Sequence, residues 1–353
     1  MQLPATERPT LDGFALCRTE ELLEWVEPFV PMGLTSRVFA ARLAALATRL
    51  PAAVSVAAFE CRLERGASQL DFEVCIRAAG GGRAALSKGL DDLEGAVPRG
   101  DPGWRRALTF LREWTDPASL LFDGIPVIWL EFDVDAGTST PAPFVVATLE
   151  SGRPHATAAA IDPVVERVLT ILVGREIDAA TKDTLARALR ELPVGGRFVH
   201  LALRPAVDGD ILRIIVKLAA EDVSGYLARI GWPGSPEDLD AWLGPSCRAT
   251  PTPSINLDLG ATVGPRVGIE YYFDGAPAID PRWRNVFDLL EAAGACSRER
   301  RAQLEAWPSA ADAKPCTTLL RVDRELLIKV VYEPGAPLRA KAYLPFSARL
   351  NLG

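Results

Sequence analysis

The sequence predicts an α+β protein: a ten-stranded antiparallel β-barrel made of five α-β-β-α repeats, with the helices outside. Three observations carry this. Period-two alternation of apolar and polar residues occurs in five places, each time as a pair of runs, as hairpins require. Helical periodicity fills the intervals between pairs. Within the strands one parity is aliphatic and the other polar. Leu212, Ile214, Val216 and Leu218 alternate with Arg213 and Lys217, and Ile255, Leu257 and Leu259 with Asn256 and Asp258. A helix-covered face explains the first parity and a solvated lumen the second, and closure removes the edges an open sheet would expose.

Glu20–Phe29 and Ser36–Leu50 read as helices, the second placing Val38, Phe39, Leu43, Leu46 and Leu50 on one face. The first hairpin pairs Val54–Glu64 with Leu70–Arg77 across Arg65–Ser68. Asp101-Pro102 then opens a helix through Trp114, since Asp accepts from a free backbone N–H and Pro suits the first helical position. The second hairpin is Val127–Asp135 with Phe144–Glu150; Asp162-Pro163 repeats the cap before Val164–Val173, and Asp178–Leu192 follows. The third, Phe198–Arg204 with Ile211–Leu218, turns at Asp208-Gly209 and precedes helices Asp222–Ile230 and Ser235–Leu243. The fourth, Ser254–Gly260 with Arg266–Phe273, turns near Gly264-Pro265 and precedes helices from Asp280-Pro281 to Ala293 and over Ser297–Trp307. The fifth pairs Thr317–Val322 with Leu327–Tyr332, and Leu338–Leu344 after Glu333-Pro334-Gly335 reads as a final strand.

Leu227–Gly231 followed by Leu239–Trp242 matches Leu290–Gly294 followed by Leu304–Trp307, a supersecondary unit used twice whose glycines suit left-handed helix ends. No long Ser/Gly/Pro-rich linker separates the units, so residues 1–353 are expected to form one barrel domain, with hairpins near 54–77, 127–150, 198–218, 254–273 and 317–344.

Composition narrows the function classes. The chain has 353 residues, 48% apolar and 24% charged, the range of soluble globular proteins. Thirty-nine Lys and Arg against 46 Asp and Glu leave a net charge of −7, so no broad footprint for nucleic acid or anionic membrane is expected. No apolar run reaches the ~18 residues of a membrane span, and Met1–Gly13 lacks the basic and apolar regions of a signal peptide. A cytoplasmic location is expected. The six cysteines include no C-x-x-C pair, and two histidines, His155 and His200, make zinc chemistry unexpected. Gly80-Gly81-Gly82 lacks the spacing of a phosphate loop, and Asp91–Glu94 that of an aspartate-rich magnesium motif.

The inward parity segregates charge. The first two hairpins contribute mainly acids, among them Glu60, Asp71, Glu73, Glu131 and Asp133; later strands contribute Arg213, Lys217, Arg266, Lys329, Arg339 and Lys341, with Asp258 and Glu270 among them. Burying like charge is unfavourable unless a counter-ion neutralises it. A diphosphate suits that task, because Arg offers paired N–H donors and Lys a point charge to phosphate oxygens.

Five such repeats around a polar ten-stranded lumen resemble the ABBA prenyltransferases, the soluble enzymes that prenylate aromatics, indoles and, in one branch, ribosomal peptides. The resemblance covers the whole chain in element order and rests on no short diagnostic string. It implies transfer of an isoprenyl group from an allylic diphosphate to an aromatic, indole or peptide side-chain acceptor in natural-product biosynthesis. By strand and parity, Arg213, Lys217, Arg266, Lys329 and Lys341 match the family's diphosphate-binding cations, and Tyr272 and Tyr343 its shield for the allylic cation. Trp129, on the same inward parity, adds to a shield that is thin in a chain with five tyrosines. Glu60 or Glu131 on the opposite wall would take the acceptor's proton. The implied partners are an isoprenyl diphosphate and a small aromatic or peptide acceptor, without nucleic acid or membrane. No cofactor is required, and magnesium dependence is left open. The alternative is a non-prenylating barrel of the same fold that binds a peptide or small molecule in a biosynthetic complex, with Asp258 and Glu270 simply pairing with the basic residues.

Overall fold

In the computed structural model, which describes residues 16–31, 36–64, 70–134, 140–149, 161–204, 211–240, 250–308 and 320–350, the alternating runs form one antiparallel sheet. Its strands are β1 (Val56–Arg62), β2 (Leu70–Arg77), β3 (Val127–Phe132), β4 (Phe144–Thr148), β5 (Arg197–Arg204), β6 (Ile211–Lys217), β7 (Ser254–Leu259), β8 (Val263–Tyr272), β9 (Leu320–Arg324), β10 (Leu327–Tyr332) and β11 (Arg339–Leu350). Neighbours pair in sequence order through β8, then β8 with β10 and β10 with β11. Pairing of β1 with β11, from Ala57 opposite Phe346 to Arg62 opposite Lys341, closes a ten-stranded barrel. The expected turns at Arg65–Ser68 and Asp208-Gly209, together with Glu150, His155, Trp242, Cys247 and Cys316, lie outside the described residues.

The fifth hairpin differs from the expected one. Leu320–Arg324 and Leu327–Tyr332 do not pair with each other; both lie along β11, in the same register, with Arg324 opposite Phe346 and Leu327 opposite Tyr343. The barrel hairpin is β10–β11, turning at Glu333-Pro334-Gly335. Pro345 is the physical reason for the interruption at Glu325-Leu326. The Glu325 N–H donates to the Pro345 carbonyl at 2.9 Å, but Pro345 has no N–H with which to return the bond. The Glu325 carbonyl instead accepts from the Trp307 indole N–H at 2.8 Å. The fourth turn also sits earlier than expected, at Gly260–Thr262, where the Gly260 N–H reaches the Thr262 carbonyl at 3.0 Å. A register shift between Leu257 and Leu259 accompanies it. Pro265 is accommodated inside β8 because pairing with β10 ends at Val267, so no ladder donor is missed on that side.

The helices begin where the sequence signals them. Asp101, Asp162, Asp178 and Asp280 accept from the backbone N–H of Trp104, Val164, Thr181 and Arg282 at 2.9, 2.7, 2.9 and 3.0 Å. Gly231 and Gly294 end their helices at φ of +79° and +70°, which only glycine adopts without strain. The aliphatic parity of the strands is buried against this helical layer. At the β1–β11 seam the ring of Phe59 meets Phe346 at 5.2 Å and Trp307 at 6.3 Å. A second, smaller apolar cluster (Val56, Cys75, Trp129, Val146 and Ala202) lies inside the barrel and forms the floor of the lumen. Among the described residues no helix is long and apolar enough to cross a membrane.

Trp307 therefore tests both seam packing and the carbonyl freed by Pro345. Trp307→Phe, which keeps a ring and deletes the donor, is expected to cost about 1–3 kcal/mol in chemical denaturation. Trp307→Ala is expected to cost roughly 3–5 kcal/mol.

Candidate functional site

The barrel encloses a cavity of about 290 Å3, near the lower end of the range for small-molecule sites. Strand register sets neighbours within it. Glu60 stands opposite Asp71 and Tyr343, Glu73 opposite Glu131, and Lys329 opposite Lys341 and Glu270, all in the lining.

Of the ten residues singled out from the sequence, eight line this cavity: Glu60, Trp129, Glu131, Arg213, Arg266, Lys329, Lys341 and Tyr343. Two do not. Lys217 shares the inward parity but lies past the floor, opposite Arg197 and Ser254; burial, then the Arg197 charge, lowers its pKa. Tyr272 lies at the same end of β8, and its hydroxyl donates to Glu325 at 3.2 Å. Alternation alone assigns a face and not a depth, so both were placed on the correct side of the sheet at the wrong height.

Five of the lumen cations are engaged by carboxylates. Lys341 Nζ contacts Glu60 Oε1 across the β1–β11 seam. Arg213 clasps Asp258 with two bonds, Nε to Oδ1 at 2.8 Å and Nη2 to Oδ2 at 3.1 Å. Lys329 donates to Asn256 Oδ1 and lies 3.5 Å from Glu270 Oε1, which also accepts from Asn256 Nδ2 at 3.0 Å. Arg266 and Arg339, each about half exposed, share Glu333 at 2.9 Å. The expected acidic and basic sets are thus not opposite walls: Lys341 lies against Glu60 of the acidic set, while Asp258 and Glu270 pair within the basic one.

Lys329 reaches Asn256, two strands away, because Gly268 leaves the intervening strand bare. A Cβ there would meet Lys329 Cε at 2.8 Å and Asn256 Cβ at 3.0 Å. Sequence reasoning identified neither this glycine nor Asn256 as site residues; a lone Gly in a strand signals close approach of some kind without saying of what.

The acids differ in protonation. Burial opposes ionisation of Glu60, but Lys341 and a hydrogen bond from Tyr343 outweigh it and hold the carboxyl at about 2. Burial, then the Glu60 charge, pushes Asp71 up to about 8. Burial followed by Glu131 raises Glu73 well above the usual range, and burial followed by Glu60 raises Glu131. Glu73 and Glu131 face each other directly across β2 and β3. Burial likewise keeps His200 neutral, with Nδ1 2.9 Å from the Thr148 hydroxyl, as a hydrogen-bonding residue beside the floor. Among the described residues no group of three or more His, Cys, Asp or Glu is placed to hold a metal ion.

Two outcomes follow. Gly268→Ala is expected to displace Lys329 and cost roughly 1–3 kcal/mol by overpacking, read from denaturation midpoints. Asp71 binds its proton more tightly folded than unfolded, so its contribution to stability is lost as pH rises from the ordinary aspartate value of 3.8 through about 8. Asp71→Asn is therefore expected to melt higher than the parent above pH 8 and to lose that advantage near pH 3.8.

No family model matches the sequence, and no curated protein does. Solved structures do resemble this one. The 5-dimethylallyltryptophan synthase from Streptomyces coelicolor superposes with a TM-score of 0.55 at 14% identity, over 94% of this chain and 98% of that one. A second structure of it, in complex with DMASPP and Trp, gives 0.53 at 13% identity, over 92% and 93%. The 6-dimethylallyltryptophan synthase from Micromonospora olivasterospora, in complex with DMASPP and Trp, gives 0.53 at 12% identity, over 94% and 97%. The chain has the closed ten-stranded barrel, ringed by helices, of the ABBA prenyltransferases.

Proposed function

We propose that this chain is a prenyltransferase that moves an isoprenyl group from an allylic diphosphate to an aromatic, indole or peptide side-chain acceptor. One observation carries the reading: Lys329, Lys341 and Arg213 line one enclosed lumen, Lys341 against Glu60 at the seam, and the charges of all three act on Glu131 in the same lining. The neighbouring folds solved with DMASPP and Trp support the kind of occupants.

The chemistry needs little beyond these groups. A diphosphate brings more negative charge than any single carboxylate and competes with Glu60, Glu270 and Asp258 for the cations. Its allylic C–O bond breaks and it leaves with the electron pair, neutralised by Lys329, Lys341 and Arg213, with Arg266 nearer the mouth. Trp129 and Tyr343 present aromatic faces to the allylic cation. A nucleophilic atom of the acceptor bonds to the allylic carbon, and the proton it sheds passes to Glu131. Burial raises the affinity of Glu131 for that proton, whereas Glu60, held at about 2, serves as a fixed hydrogen-bond acceptor. The net charge of −7 supports an enzyme without nucleic-acid or anionic-membrane partners.

The alternative is a non-prenylating barrel that binds a peptide or small molecule. The pairing of Lys341 with Glu60, Lys329 with Glu270 and Arg213 with Asp258 favours it, since a self-neutralised lumen needs no anion. Calorimetry with dimethylallyl and geranyl diphosphate, with magnesium and with chelator, separates the two. Binding is expected, weakened at least about tenfold by combined Lys329→Ala and Lys341→Ala, and candidate acceptors are expected to gain the mass of isoprene units. Absence of diphosphate binding, or indifference to the double substitution, removes the transferase reading.

A further inference from the structure

Three cavity-lining carboxylates, Glu73, Asp71 and Asp133, and the N–H of the Trp129 indole have no use in the proposed transfer. Glu73 is 5% exposed, lines the cavity, and its Oε1 has no partner among the described residues. Asp71 Oδ1, one inward position along β2, is in the same state. Lys341, Lys329 and Arg213 are engaged by Glu60, by Asn256 and Glu270, and by Asp258; the Arg62 charge acts on Asp71, but its buried Nε makes no hydrogen bond among the described residues, and no cation answers Glu73 Oε1 there. Independently, Trp129 is 3% exposed and its indole N–H has no acceptor among the described residues. The indoles of Trp114, Trp283 and Trp307 are also buried, and each donates to a backbone carbonyl. Trp129 lies one inward position from Glu131 on β3, directly opposite Cys75. An orphaned buried donor beside orphaned buried acceptors costs free energy on both counts unless a ligand meets them.

That arrangement selects the ligand by charge. An anion placed here would face Glu60, Glu73 and Glu131. A purely apolar group would leave the carboxylates and the indole N–H desolvated. A group rich in N–H donors and positively charged, with an oxygen acceptor nearby, satisfies every member. We propose that the acceptor presents a protonated nitrogen group, a guanidinium or an ammonium, to Glu73 and Glu131, with Asp71 flanking and an oxygen of the same molecule taking the Trp129 N–H. Calling this molecule the acceptor rests on the prenyltransferase reading; the cation site itself rests on the carboxylates and the indole.

Binding is linked to protons. Burial and their mutual repulsion favour a proton on the Glu73–Glu131 pair in the empty lumen, so an arriving cation expels it. The charged and titratable groups lining the lumen around the pair include Glu60 and Arg62 on β1, Asp71 on β2, Asp133 just past β3, Arg213 on β6, Asp258 on β7, Glu270 on β8, Lys329 on β10 and, on β11, Lys341 and the Tyr343 hydroxyl.

The test uses charged and neutral probes of matched shape: Nα-acetylarginine amide against Nα-acetylcitrulline amide, and Nα-acetyllysine amide against Nα-acetylnorleucine amide. Each is titrated calorimetrically, with and without dimethylallyl diphosphate, in buffers of different ionisation enthalpy. At least one charged probe is expected to bind about tenfold or more tighter than its neutral partner, with proton release. The near-isosteric Glu73→Gln, checked for a parent-like circular dichroism melt, is expected to erase most of that preference and of the proton release, with diphosphate affinity kept. Glu131→Gln is expected to weaken the preference likewise. No preference in either pair, or a preference untouched by both substitutions, overturns the cation site even where diphosphate binds. Failure of diphosphate binding with the cation preference intact overturns the transferase reading and leaves the site standing.

Discussion

Because β1 pairs with β11, no strand of the ring keeps a free edge, and every second side chain along ten strands must enter one enclosed space. That space has room for few groups, and the chain fills it with ionisable ones. In a medium that solvates charge poorly, each must find a partner, lose its charge or wait for a ligand. The first two solutions coexist in one lumen. Lys341 and Glu60 pair; Lys329 shares Asn256 and Glu270; Glu73, whose Oε1 has no partner among the described residues, is pushed toward its neutral form. The helical layer has the simpler task of covering the aliphatic outer parity.

Much of this architecture was legible in the residues. Alternation located both strands of four hairpins and separated the helix-facing from the lumen-facing parity, because a period of two has no other common cause. The Asp-Pro pairs marked three helix starts to the residue. What failed is equally physical. Thr317–Val322 and Leu327–Tyr332 read as a hairpin because two alternating runs with polar residues between them look the same whether the chain turns back or runs on. Only the partner strand, with Pro345 at the break, distinguishes the cases. Lys217 and Tyr272 show the other limit. Parity is local, but depth in a barrel depends on stagger between strands, which no single strand encodes.

The candidate site was legible as a set of charges and illegible as a set of pairs. Asp258 and Glu270 stood out among the basic residues as possible partners, and they are partners. Gly268 and Asn256 carry as much of the geometry, since the bare strand lets one lysine cross to a third. Trp129 adds to an aromatic face an indole donor unanswered among the described residues, which no composition count reveals.

Lys341 and Glu60 lie 281 positions apart, on the last and first strands of the ring. Their contact forms only when the seam closes, so the most distant pairing in the chain and the completion of the lumen's electrostatics are one event. Folding kinetics inherit this. A sheet that must hold nine strands in register before the tenth arrives has high contact order and a slow approach to the native state. During synthesis both seam edges stay open until β11 has left the ribosome, which is where covering an edge by a chaperone would matter most.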